Sequence, residues 1–160
     1  MNTKQKDNNF KAISSIFVTK AFIVIMAIIA VIMCIWGTPI VRIVMTKTTP
    51  LVDDRYRFWI LLIGGYICAG LLFLFLYLLY KLIVRIEKGE VFTTENVKAL
   101  KRLSDLVLSA GVITFFIGIT CTYMIFIITA ATAFVTPIIR VIGHAFAKAV
   151  EMKDELDFTV

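Results

Sequence analysis

His144 stands four residues from Arg140 on one side and from Lys148 on the other, so the three form one stripe if this segment is helical. An imidazole there works as a general base only with an orienting carboxylate and a nucleophile in reach. The stripe offers like charge instead, and the next carboxylate along the chain is Glu151. Contact with lipid headgroups is therefore the reading for Arg140, His144 and Lys148, with an acidic partner as the alternative. The cysteines Cys34, Cys68 and Cys121 lie far apart in apolar sequence, with no C-x-x-C pair and no nearby histidine. They read as small buried apolar residues rather than as a disulfide framework or a zinc site. Asp53, Asp54, Arg55 and Arg57 make a mixed-charge cluster that could meet a ligand, but such a run in a loop is usually solvated. G-x-S-x-G, H-E-x-x-H, Walker-type and Asp-rich metal motifs are all missing. No catalytic, cofactor-binding or metal-ligating residue is assigned, and the chain does not read as an enzyme.

The elements that carry these residues are set by hydropathy. Of 160 residues, 60% are apolar and 18% charged, with a net charge of +6 and a mean hydropathy of +0.92. Soluble domains run near 45–50% apolar and 25% charged, so an all-α membrane protein is expected. Ala21 to Val41 is uncharged for 21 residues, longer than a signal peptide's apolar core, and lacks a small-residue cleavage site. It reads as a retained first span with a kink or stop near Thr38 and Pro39. Phe58 to Tyr80 gives 23 more uncharged residues, with Trp59, Tyr77 and Tyr80 near its ends as interfacial anchors. Within this second span, Gly65 and Ala69 have the small-xxx-small spacing of close helix contact.

Leu106 to Ile139 is uncharged for 34 residues, about 51 Å of helix against a hydrocarbon core of about 30 Å. It must fold back, and the segment to Ala149 holds two spans with a turn near Ile119 to Tyr123. Four transmembrane helices follow, near 21–41, 58–80, 104–120 and 123–149, in one membrane domain over 1–160. The polar connection 81–105 contains a stop signal at Gly89 and a cap signal at Thr93 or Thr94. Val97, Leu100, Leu103 and Val107 then recur at helical spacing, predicting an amphipathic cytoplasmic helix between spans 2 and 3. A three-span alternative would put the carboxyl terminus outside.

With four spans, the amino terminus, the 81–105 connection and the carboxyl-terminal end with Arg140, Lys148 and Lys153 share a side that holds thirteen Lys and Arg, against four in the 42–57 loop. The positive-inside rule places both termini in the cytoplasm of a bacterial plasma membrane. The basic charge is then topology and contact with the lipid bilayer rather than direct nucleic-acid binding. Read as Ala21 to Val41, Phe58 to Tyr80 and Leu106 to Ile119, spans one to three contain no Asp, Glu, Lys, Arg or His, which leaves a proton-coupled transporter or membrane enzyme with little support.

Two stretches carry a resemblance. Glu87-Lys-Gly-Glu-Val-Phe-Thr-Thr-Glu-Asn-Val-Lys-Ala-Leu-Lys101 and the acidic ending Ala149-Val-Glu-Met-Lys-Asp-Glu-Leu-Asp-Phe-Thr-Val160 resemble a bacterial family of four-span integral membrane proteins of unknown function. Its relatives often carry a polar loop between spans 3 and 4, where this chain is uncharged. The resemblance implies a neighbouring gene for a Cro/C1-type helix-turn-helix regulator and a membrane protein that restrains or informs it. On that implication Gly89, Phe92, Asn96, Val97 and Leu100, with Glu151, Asp157, Phe158, Thr159 and Val160, form the partner-binding surfaces. Physically the fit is that both segments fall on the expected cytoplasmic side and neither carries catalytic chemistry. The other function considered is immunity or stress protection against a membrane-active peptide met by the 42–57 loop. Association with further copies of the chain stays open.

Overall fold

The computed structural model describes residues 3–45 and 52–157, all of it helix, turn or short connection. Helix α1 covers Thr3–Ile35, α2 Gly37–Met45, α3 Asp54–Glu87, α4 Thr94–Thr120 and α5 Phe126–Asp157, with a single 3-10 turn at Tyr123–Ile125. Four segments are long and apolar enough to cross a membrane: Ser14–Ile35, Asp54–Glu87, Thr94–Thr120 and Tyr123–Lys153. This is the four-span pattern expected from the uncharged runs, not the three-span one.

The interruption at Trp36 comes slightly before Thr38 and Pro39, for a local reason. Proline contributes no N–H, which costs nothing in the first turn of a helix, so Pro39 suits the start of α2. At Gly37 an added Cβ would sit 3.1 Å from the Tyr66 hydroxyl oxygen. That hydroxyl donates to the Cys34 carbonyl at 3.2 Å, and so ties the break to α3.

The helices pack in chain order as a row: α1 beside α3, α3 beside α4, α4 beside α5, with α2 against α1 and α3. Among the described residues, α5 has no backbone contact with α1, α2 or α3. Two apolar clusters hold the row. One joins Val41 of α2, Leu61 of α3 and Ile117 of α4 with Cys121 beyond it. The other, at the opposite end, joins Leu82 of α3 with Ala99, Leu100 and Leu103 of α4.

The seam between α4 and α5 is built from small and polar residues, as membrane interfaces tend to be. Gly111 lies so close to Thr132 that a Cβ would come within 2.6 Å of its Oγ1. Thr129 Oγ1 donates to Thr114 Oγ1 at 3.0 Å, and Ser104 Oγ donates to the Thr136 carbonyl at 3.3 Å.

Two expectations change. The small pair Gly65 and Ala69 is not a tight helix contact: both face a groove, and nothing lies within 4 Å of a Cβ on Gly65. The close approach of α3 to α4 is one residue earlier, where a Cβ on Gly64 would fall 2.5 Å from Ile117 Cδ1. The amphipathic stretch after Thr94 does not lie apart on the surface; it is the opening of α4 and runs unbroken into the third span. As the stop signal at Gly89 implies, α3 continues past the second span to Glu87, so only residues 88–93 separate it from α4.

Candidate interaction site

Because the helices alternate in direction, Lys20 of α1, residues 88–93 and the later part of α5 meet at one end, called here the loop end. An ion pair between Lys20 and Glu87 fastens α1 to the end of α3 there.

The stop and cap signals resolve into a self-contained turn. After the C-cap Lys88, Gly89 adopts φ 85°, a left-handed value natural for glycine. Its N–H donates to the Ile86 carbonyl at 3.0 Å and that of Glu90 to the Arg85 carbonyl at 3.1 Å, the bond pair of a Schellman ending. Thr93 caps α4, its side chain accepting from the Asn96 N–H. Asn96, fully buried, reaches back so that its Nδ2 donates to the carbonyls of Glu90 at 2.6 Å and Val91 at 2.8 Å. Carbonyls in a sharp turn need donors, and one buried asparagine supplies two.

This arrangement sorts the residues of the resemblance. Asn96 and Leu100 are inside, Leu100 lying over Gly143 with its Cβ 3.6 Å from where a Cβ there would be. Val97 is half-buried. Gly89 is exposed, and Phe92 keeps 46% of its surface exposed while its ring rests 5.5 Å from that of Phe146 in α5. The turn is thereby joined to α5, which runs on to Asp157, about 16 Å beyond Phe146. Glu151 and Glu155 are exposed along that extension. Phe158, Thr159 and Val160 lie outside the described residues.

The basic stripe divides as well. His144 and Lys148 are exposed, but Arg140 is turned onto α4. Its Nε donates to Ser104 Oγ at 3.2 Å and its Nη2 lies 3.6 Å from Asp105 Oδ1, which makes it a tie between helices as well as a surface cation.

At the opposite end Arg57 corrects the solvated-loop reading of its cluster. Its surface is 1% exposed, and its Nε donates to the Cys121 carbonyl at 2.9 Å. The carbonyls closing a helix have no partners within it, and a cation suits their partial negative charge. Arg57 thus closes α4 at the fold-back, while exposed Asp54 stands 3.5 Å from its Nη1. No local sequence signal marks this role, since the carbonyl that Arg57 serves lies 64 residues further on.

A family model described as a protein of unknown function, DUF2975, matches residues 2–160, and the chain belongs to that family. No curated protein and no solved structure matches it.

Proposed function

We propose that this DUF2975 membrane protein works without catalysis, holding a cytoplasmic helix-turn-helix transcriptional regulator at the bacterial plasma membrane. Its docking surface is the loop end: Phe92 on the turn and the acidic extension of α5 with Glu151 and the tail to Val160. The observation that carries the reading is the seating of Phe92. A large aromatic held half-exposed on a turn that is capped on both sides, and against the helix that leads to the tail, is an anchor of the kind that dominates protein interfaces. A DNA-binding regulator presents a basic face to phosphates, and the acidic extension complements it. Asn96 and Leu100 serve from beneath, by fixing the turn. Both termini are cytoplasmic in this reading, supported by the basic residues gathered at the loop end.

Co-purification of the regulator encoded beside this gene tests the proposal. Phe92→Ala and deletion of Asp157 to Val160 should each abolish capture, and raised salt should weaken it. Full retention in both variants overturns the assignment of these surfaces.

One observation favours a second reading, protection against a membrane-active peptide. An apolar groove of about 510 Å³ runs between α1, α2 and α3 near the start of α5, and Val44 near the end of α2 lines it. Expression in a sensitive strain with no change in killing removes that reading.

A further inference from the structure

Between the last turns of α3 and the first turns of α4 lies a cavity of about 140 Å³ whose rim holds Lys81, Arg85, Lys98 and Arg102, with Glu95 as its one carboxylate. Lys81 and Arg85 are four residues apart on α3, and Lys98 and Arg102 four apart on α4. The spacing puts each pair on one helix face, and the antiparallel packing turns both pairs toward the same space. Among the described residues none of the four has a carboxylate within ion-pair distance, whereas Lys20, Arg57 and Arg140 each have one. Four cations on two helices repel one another unless an anion sits between them. The floor is apolar: Leu82 and Ala99, both buried, close it, and Leu78 leads into the second span.

We propose that this cavity binds the phosphate headgroup of an anionic phospholipid, with the acyl chains running down the α3–α4 face. The site needs a phosphate at the level where a span ends and an apolar path below it. Basic pockets between transmembrane helices take phospholipid headgroups for this reason. Lysine and arginine supply charge-assisted hydrogen bonds to the phosphate oxygens. The inference is independent of the regulator reading, since neither Phe92 nor the tail contributes to the cavity.

The test is native mass spectrometry of the full-length protein in dodecylmaltoside, titrated with phosphatidylglycerol or phosphatidylcholine. A single phosphatidylglycerol should bind saturably and ahead of phosphatidylcholine, and excess inorganic phosphate should not displace it. At about 1 kcal/mol for each basic residue near anionic lipid, Lys98→Gln with Arg102→Gln should weaken it about thirtyfold. Lys81→Gln with Arg85→Gln, on the other helix, should do the same. Lys101→Gln with Lys153→Gln removes equal charge from exposed sites outside the cavity and should leave binding within about twofold. Equal weakening by all three pairs, equal binding of the two lipids, or displacement by inorganic phosphate would each overturn the proposal. Far-UV circular dichroism checks that the variants keep their helix content, and having a pair on each helix guards against one that does not fold.

Discussion

Replacing Arg57 with methionine removes the donor that closes α4 while keeping a side chain of similar reach. The wild-type Nε–Cys121 bond is 2.9 Å long and the residue almost wholly buried. A hydrogen bond to a charged group contributes about 1.5–3 kcal/mol, and the abandoned carbonyl adds its own desolvation cost. Removing a buried guanidinium returns part of the cost of having buried it, and the Asp54 contact adds little because that carboxylate is 84% exposed. The net expectation is a loss of about 1–3 kcal/mol. Arg57→Lys should recover only part of it, because an ammonium cannot reproduce the guanidinium's fixed fork of donors. Arg55→Met, at an exposed neighbour, should change stability by less than about 0.5 kcal/mol. The assay is equilibrium unfolding in mixed dodecylmaltoside and dodecyl sulfate micelles, followed by circular dichroism. Amide exchange should rise first around Thr122 to Ile125. If Arg57→Met unfolds together with Arg55→Met, the arginine does not hold the fold-back and the reasoning fails.

The same unfolding assay reads two further expectations. Asn96→Ala should cost about 1–3 kcal/mol, since two hydrogen bonds to turn carbonyls vanish together, and Gly89→Ala about 1–2 kcal/mol for its left-handed backbone. Gly111→Leu should destabilise by about 1–3 kcal/mol through overpacking against Thr132, whereas Gly65→Leu, facing open groove, should be tolerated. For topology, a chain with Cys34, Cys68 and Cys121 changed to serine and a single cysteine at Lys153 should react with an impermeant maleimide only after the cells are opened. Labelling of intact cells would reverse the orientation.

Hydropathy made the spans legible because an uncharged run has a length, and length decides how often a helix can cross a bilayer. The 34-residue run from Leu106 had to turn, and the fold-back at Cys121 and Thr122 falls inside the Ile119 to Tyr123 window. Gly89 and Thr93 were legible for a related reason: helix endings use local chemistry that a short window contains. Arg57 was not, since its partner lies 64 residues further on. Nor was the work of Ser104, Thr114 and Thr129, because mid-helix hydroxyls look alike until a neighbouring helix is known. Asn96 misled in an instructive way. A polar residue in a patterned polar segment looks like a contact surface, yet Asn96 is buried and serves the carbonyls of a sharp turn.

Among the described residues, the uneven distribution of these polar links says which helix is held by fewer of them. Lipid tails are as apolar as leucine, so in a membrane apolar packing alone does little to draw helices together, and small or polar residues decide the association. The seam of α4 and α5 has Gly111, Ser104 and a run of threonines, with Arg140 across it. Arg57 joins the start of α3 to the same pair. Helix α1 is tied to α3 by the Lys20–Glu87 ion pair at one end and by Tyr66 on the Cys34 carbonyl at the other. Grooves border its contact with α3, the larger lined by Met33, Cys34 and Leu62 among others. Among the described residues, displacing α1 therefore breaks fewer polar contacts than separating α4 from α5.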